Sequence, residues 1–182
     1  PTLFPYTTLF RSHTLFVNGQ PLAAAGKTGR DPASTIPGLD PRVVDLPNQV
    51  HVLDILMEVS NYNHRLGGAI RSLELGRAVD LANGRSRALM TAFALFAIIA
   101  LMGVYHIVIF SLRPADRSPL FFGLFCLLAS TRPLMEGQRA ILEFLPDLSW
   151  SWLNKFIYLG LYLGISFFIL FTRSLYPDDI GR

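Results

Sequence analysis

Hydrophobic and polar positions divide the chain at residue 88. Residues 88–112 contain no Asp, Glu, Lys or Arg. As a helix, this run is about 37 Å long, enough to cross a hydrocarbon core of about 30 Å with some tilt. Arg85 and Arg87 precede it, and Arg113 and Pro114 follow it. The pattern predicts a first membrane-spanning helix at about 88–112, entered through a polar connector at 77–87.

A second apolar segment follows a turn of five residues, 113–117. Ser118 is a favourable N-cap, and Pro119 suits the first helical position. Residues 119–131 are uncharged but too few to cross a bilayer, so we expect the helix to continue to about 136. In that extension Pro133 would bend the helix, and Glu136 would lie one turn from Arg132 as an ion-pair partner.

A third span is predicted at about 153–173. Residues 156–172 are uncharged, and Trp150, Trp152 and Lys155 precede them as residues typical of a membrane–water interface. Together with residues 88–112 and 118–136, this gives a transmembrane domain at 88–182 with three helices, whose partner is the lipid bilayer.

Polar and small residues within the spans are candidates for function. His106 lies well inside the first span, where we expect a helix–helix hydrogen bond; signal relay is the alternative. Arg132 is close enough to its helix end to reach the headgroups, and a functional role is the alternative. Gly160 and Gly164 form a GxxxG pair, which would let a second helix, such as that of a homodimer partner, approach closely.

The polar half of the chain, residues 13–76, predicts strands. Residues 14–17 favour β-structure, and Asn18-Gly19 predicts a hairpin turn. Residues 26–47 are rich in Gly, Pro, Asp and Ser, which indicates a long loop with a short strand at 42–44. Residues 49–61 alternate, with Leu53, Ile55, Met57 and Val59 on one predicted face, although a helix remains open there. Another strand is predicted at 69–75.

Composition excludes several functions. The net charge of +3 is spread along the chain without a basic stripe, so we expect no nucleic-acid partner. Gly26-Lys27-Thr28 is no phosphate-binding loop, because Pro21 stands where that loop needs a glycine amide. Cys126 is the single cysteine. We expect no metal, cofactor or catalytic residue in this chain.

The first residues have an unusual origin. Residues 2–12 read TLFPYTTLFRS, which one reading frame of a common sequencing-adapter oligonucleotide encodes codon for codon. We therefore expect residues 1–12 to be an artefact of read assembly, and a genuine aromatic-rich strand is the alternative. No initiator Met is present, so we expect the natural N-terminus to be missing.

Motifs in both halves resemble one family. Residues 16–19 and the Gly-rich loop after them resemble the ligand-facing hairpin of galactose-binding-like jelly rolls. Residues 59–68, with Leu75-Gly76, resemble the end of the type 2 ectodomain of bacterial seven-transmembrane receptors with diverse intracellular signalling modules. The pattern Gly103-x-x-Tyr-His-x-x-x-Phe and the run LLASTRPL at 127–134 resemble the membrane helices of the same family.

This resemblance implies a mixed fold and a receptor function. The fold would be a partial all-β jelly-roll ectodomain at 13–76, followed by an α-helical bundle with three of seven expected helices. The ectodomain would be periplasmic, on the bacterial inner membrane. Because basic residues on the two sides of the spans are nearly balanced, this orientation depends on the resemblance. A carbohydrate-like ligand would signal through the helices to a cytoplasmic output module, such as a histidine kinase or diguanylate cyclase, outside this fragment.

Candidate ligand contacts follow the alternating strand. Asn61, Tyr62, His64 and Arg65 carry amide, aromatic and basic groups that suit a hydroxyl-rich ligand. A structural turn is the alternative, because Asn tolerates left-handed backbone and Gly67-Gly68 allows a sharp reversal. For the whole chain, the alternatives are a subunit of a transporter or membrane complex with an external accessory domain, and a membrane-bound enzyme.

Overall fold

The chain forms two compact units in the computed structural model, Pro1–Arg87 and Ala88–Arg182. The structure describes residues 2–5, 12–38, 44–46, 52–62 and 73–177. The division coincides with the predicted boundary at residue 88, so the change in hydropathy marks a structural boundary as well.

The first unit contains two three-stranded antiparallel sheets, with strand orders β4-β1-β6 and β3-β2-β5. The strands are β1 (Thr2–Pro5), β2 (Ser12–Val17), β3 (Gln20–Ala25), β4 (Val44–Asp45), β5 (Ile55–Ser60) and β6 (Leu73–Gly76). This arrangement confirms the β class of the segment, and the jelly-roll topology stays a prediction.

Strand β1 lies within the segment that an adapter sequence would encode. It occupies the central position of its sheet, between β4 and β6. Any short apolar segment with extended backbone can fill such a position through main-chain hydrogen bonds, which carry little sequence information. The origin of residues 1–12 therefore stays a prediction.

The predicted hairpin turn at Asn18-Gly19 is confirmed. Both residues have positive φ, 50° and 77°, as a type I′ turn requires. Asn18 also bonds twice to Asp54: its amide donates to the Asp54 carbonyl, and its Oδ1 accepts from the Asp54 amide, each at 2.8 Å. This residue therefore ties the β2–β3 hairpin to the segment that leads into β5.

Residues 55–60 form strand β5, which rules out the helical alternative there. The predicted alternation is only partly correct. Leu53 and Met57 pack against the core formed by Leu15, Val17 and Leu46, whereas Ile55 and Val59 are each 37% exposed. Strand β5 lies at the edge of its sheet, so its side chains have a neighbouring strand on one side only and are open to solvent on the other.

Among the described residues, three helices are long and apolar enough to cross a membrane: Ala78–Leu112, Ser118–Met135 and Trp150–Leu175. They correspond to the three predicted spans. The helical elements are α1 (Ala78–Leu112), α2 (Ser118–Ser130), α3 (Arg132–Met135), a short 3₁₀ helix (Ala140–Glu143) and α4 (Trp150–Leu175). The turn at residues 113–117 separates α1 from α2.

Helix α1 begins ten residues before the predicted span, at Ala78 rather than 88. The connector predicted at 77–87 is therefore helical except for Arg77. Asp80 lies in the first turn, where a carboxylate interacts favourably with the helix dipole. Gly84 is the one strong helix-disfavouring residue in this stretch, and its cost of about 1 kcal/mol is small beside the apolar run that follows.

Helix α2 ends at Ser130 and α3 begins at Arg132, close to the predicted bend. Pro133 has no amide hydrogen, and its ring clashes with the carbonyl four residues earlier, so the helix is interrupted at Thr131. The predicted Ser118 cap is wrong: Asp116 Oδ1 accepts the Ser118 amide at 2.9 Å. This hydrogen bond lowers the pKa of the Asp116 carboxyl.

His13 makes the stability of the first unit depend on pH. It lies on β2 and is 2% exposed, and burial lowers the pKa of its imidazole below the ordinary 6.5. Because the folded state disfavours the charged form, its stabilisation is complete above pH 6.5 and is lost as the pH falls below that value.

We expect amide protection in β2 and β5 to be lower at pH 5.5 than at pH 7.5, after correction for intrinsic exchange. His13→Gln should remove this difference, and His106→Gln should leave it unchanged. Equal protection at both pH values in the unmodified chain, or a slope that survives in His13→Gln, would contradict this assignment.

Candidate functional site

A network of hydroxyl groups surrounds Ser60 at the end of β5. Ser60 Oγ lies 2.6 Å from Ser12 Oγ and 3.4 Å from Thr35 Oγ1, and it accepts the Gly29 amide at 3.2 Å. Ser12, Thr35 and Ser60 are all buried. Because these groups bond to one another, they fasten the loop at 26–38 onto β2 and β5.

The loop itself is held by local hydrogen bonds. Ser34 donates its amide to Asp31 Oδ1 at 2.7 Å, which lowers the pKa of the Asp31 carboxyl. Lys27 and Ile36 exchange backbone hydrogen bonds of 2.7 and 3.0 Å across the base of the loop. The described part of the predicted loop, residues 26–38, is therefore an ordered element beside Tyr62.

Two of the four candidate ligand residues lie in the described part of the chain. The Tyr62 hydroxyl donates to the Arg30 carbonyl, and 47% of the Tyr62 residue surface is exposed. Asn61 is half-buried beside it. His64 and Arg65 lie outside the described residues. Tyr62 therefore uses its hydroxyl to hold the loop and presents part of its ring to solvent.

Sequence reasoning missed Ser60 as the centre of this network. The alternation over residues 49–61 predicts Ser60 on the face opposite Leu53, Ile55, Met57 and Val59, where a serine is expected to contact water. Its partners lie 48, 31 and 25 positions away in the chain. No local pattern carries that information.

In the second unit, α1 and α2 meet at two glycines. A methyl group on Gly103 would lie 2.9 Å from the Gly123 carbonyl oxygen, and one on Gly123 would lie 2.9 Å from the Gly103 carbonyl oxygen. No larger side chain fits at either position without separating the helices. This is the small-residue contact that membrane helices favour.

His106 lies one turn after Gly103 on α1. Its Nδ1 bonds to the Met102 carbonyl of the same helix at 2.8 Å. Its ring packs edge-on against Phe122 of α2, with centroids 4.6 Å apart. In the described part of the chain, the predicted helix–helix hydrogen bond is thus replaced by a bond within the helix and an aromatic contact between helices.

Aromatic contacts continue from His106 across the bundle. Phe122 packs against Phe171 of α4 with ring centroids 5.0 Å apart, and Phe125 packs against Phe168 of α4 at 5.4 Å, both with tilted rings. At the other end of the bundle, Phe93 of α1 meets Phe144 edge-on at 5.7 Å. These contacts join all three spans, and each aromatic pair adds about 0.5–1.5 kcal/mol beyond its buried area.

Arg132 and Glu136 form the predicted ion pair. Arg132 Nε lies 2.7 Å from Glu136 Oε1, and the two side chains are 55% and 49% exposed. The pair is near the end of its span, beside the start of α4. There Lys155 Nζ lies 4.6 Å from the Trp152 ring centroid, in the predicted interfacial belt.

The GxxxG pair of α4 does not meet another helix closely. A methyl group on Gly160 would find no atom within 4 Å, and one on Gly164 would reach only Phe125, at 3.9 Å. The two glycines face a cavity against α2 and α3. The close glycine contact among the described helices is therefore between Gly103 and Gly123. Because these two residues lie on different helices, they form no sequence motif.

No cluster of three or more His, Cys, Asp or Glu side chains that could hold a metal ion occurs among the described residues. Cys126, the single cysteine, is buried in α2. The described geometry is that of a fastened loop in one unit and a packed helix bundle in the other.

The family model described as 7TM diverse intracellular signalling matches residues 88–178. The match covers half of the chain and includes the glycine contact, the aromatic contacts and the Arg132 ion pair. No curated protein and no solved structure shows a significant match to the chain.

Ser60→Ala tests whether the hydroxyl network fastens the loop. The substitution leaves the Gly29 amide and the Ser12 hydroxyl without this partner, so we expect local opening of the loop at 26–38 to become easier by about 1–3 kcal/mol. Amide hydrogen exchange of Lys27 and Ile36 measures it. Ser86→Ala, at an exposed position of α1, is the matched control, and equal protection in both variants would contradict the prediction.

Gly123→Ala tests the α1–α2 contact. The added methyl group would overlap the Gly103 carbonyl, so we expect a loss of about 1–3 kcal/mol in unfolding free energy. Titration with denaturing detergent in mixed micelles measures this loss. Gly160→Ala adds the same methyl group where space is open and should leave stability unchanged or slightly raised. Equal effects of the two substitutions would show that the glycine contact does not hold the helices together.

Proposed function

We propose, from the premise that the chain belongs to the 7TM diverse intracellular signalling family, that it is the sensing and coupling part of a bacterial transmembrane signalling receptor. Its N-terminal unit lies in the periplasm and responds to a small, carbohydrate-like ligand. Its helices pass the response through the inner membrane to a cytoplasmic output module. Catalysis, in this proposal, belongs to that module and not to the residues of this chain.

The observation that carries the proposal is the junction between sheet and helix. Arg77 alone separates β6, which ends at Gly76, from α1, which begins at Ala78. The Arg77 carbonyl accepts the amides of Asp80 and Leu81 at 3.0 and 3.1 Å, so the first helical turn closes directly on the strand. With no flexible segment between them, a displacement of β6 must move the start of α1.

The helix contacts support the next step of coupling. Gly103 on α1 leaves no space against Gly123 on α2, and His106 on α1 packs on Phe122. Close-packed interfaces do not deform continuously, so a shift of α1 along this contact favours a second discrete packing. Phe171 lies against Phe122 and extends the contact to α4.

The fastened loop supports a sensor role for the first unit. Tyr62 presents an exposed ring beside the loop, and aromatic faces are common surfaces for sugar-like ligands. A ligand signals only if it binds one receptor state more tightly than the other. In this proposal, the ligand binds the state in which Ser60 and Tyr62 hold the loop at 26–38.

Orientation in the membrane tests the proposal, because a periplasmic sensor requires the first unit outside. Since Cys126 is the single cysteine, a Cys126→Ser background allows single-cysteine labelling with a membrane-impermeant maleimide on intact spheroplasts. We expect Ala33→Cys, in the loop, to be labelled and Ala115→Cys, in the turn after α1, to be protected until the membrane is permeabilised.

The opposite labelling pattern would place the first unit in the cytoplasm and refute the periplasmic receptor. Both positions are exposed in the structure, so a difference in labelling reports the side of the membrane and not burial within the protein.

A further inference from the structure

The cavity between α2–α3 and α4 is an apolar groove with one charged residue in its lining. Its volume is 210 Å³. The residues that line it are Phe125, Leu128, Ala129, Thr131, Arg132, Met135, Phe156, Ile157, Gly160, Leu161, Gly164 and Ile165. Thr131 and Arg132 are its polar members, and both lie at the junction of α2 and α3.

Two glycines make this groove. Gly160 has open space where a side chain would be, and Gly164 touches only Phe125 at van der Waals distance. The glycines of the α1–α2 contact differ, because the opposite helix occupies the space where a side chain would be. The α4 glycines therefore open a trough along the helix rather than draw a neighbouring helix of the bundle close.

The groove has the length of one leaflet. Its α4 wall runs from Phe156 to Ile165, which is about 13 Å along a helix. One leaflet contributes about 15 Å of hydrocarbon to a bilayer core. The Phe156 end lies next to Trp152 and Lys155 at the interface, and the Ile165 end lies deep in the span.

Arg132 supplies an anion site at the interfacial end. In the described part of the chain its one hydrogen-bond partner is Glu136, through Nε. A guanidinium group carries five N–H donors, so both terminal nitrogens remain available. Arg132 is the one charged residue of the lining, so it supplies the N–H donors for an anion at this end of the groove. Guanidinium binds phosphate through paired hydrogen bonds.

We propose that the groove binds an anionic phospholipid, with one acyl chain between α2–α3 and α4 and the headgroup phosphate on Arg132. Hydrogen-bond donors and shape select this occupant: the terminal N–H donors of Arg132 lie at the interfacial end of an apolar trough one leaflet deep. A transmembrane helix would match the trough but would bring no phosphate to the terminal nitrogens of the guanidinium group. The inference concerns residues 125–165 and does not depend on which side of the membrane the first unit occupies.

The test measures lipid preference of the full chain in neutral detergent. Phosphatidylglycerol and phosphatidylcholine with identical acyl chains are added, and retained lipid is counted by native mass spectrometry. We expect about a fivefold preference for phosphatidylglycerol, the factor that one interfacial cation contributes. Arg132→Gln should abolish the preference, and Arg132→Lys should keep most of it.

A second variant tests the trough separately from the charge. Gly160→Leu fills the open space and should reduce retention of both lipids, while circular dichroism shows unchanged helix content. Arg173→Gln removes a cation at the opposite end of α4, and Ala97→Leu adds the same bulk on an exposed face of α1. Both controls should retain lipid as the unmodified chain does.

Three results would overturn the proposal: equal retention of the two lipids, an Arg173→Gln effect as large as that of Arg132→Gln, or full retention in Gly160→Leu. Acyl-chain diazirine phosphatidylglycerol supplies an independent readout. Adducts on peptides of α2 and α4 around the groove support the proposal. Adducts confined to other surfaces contradict it, because they mean that no lipid occupies the groove.

Discussion

The absence of water in the bilayer core is the constraint on which the rest of this structure depends. Within hydrocarbon, every backbone amide and carbonyl must find its partner inside the protein, and a single segment achieves this only as a helix. Residues 88–112 therefore have one acceptable conformation. The turn at residues 113–117 then returns the chain for α2, and the belt of Trp152 and Lys155 marks the entry of α4.

Within the bundle, glycine has two opposite roles. Gly103 and Gly123 bring two backbones into direct contact, which concentrates the α1–α2 packing at one point. Gly160 and Gly164 leave a cavity instead, and Arg132 lines the end of this cavity that lies near the membrane–water interface. The first pair suits transmission of a movement between helices, because any shift must change their packing. The second suits an exchangeable molecule, because nothing in the described bundle fills it.

Much of this architecture could be predicted from the sequence, because hydropathy and turn chemistry are local. The three spans, the Asn18-Gly19 turn and the Arg132–Glu136 pair all depend on residues close together in the chain. The long-range features could not be predicted in this way. The Ser60 network joins positions up to 48 residues apart, and the Gly103–Gly123 contact needs the relative rotation of two helices. The early start of α1 was missed because residues 78–87, whose large apolar side chains are only Val79 and Leu81, carry little helical periodicity.

The central claim is that one unbroken helix runs from the last strand of the sheet into the membrane. Spin labels at single cysteines along residues 78–112, in a Cys126→Ser background, test it most directly through their accessibility to oxygen and to a water-soluble nickel complex. With Gly103 left unlabelled, the account predicts a helical period of about 3.6 residues along the stretch, with oxygen exposure dominant beyond residue 88 and lowest at labelled positions on the helix face of Gly103. Loss of that period before residue 88, or nickel access throughout residues 88–112, would contradict it.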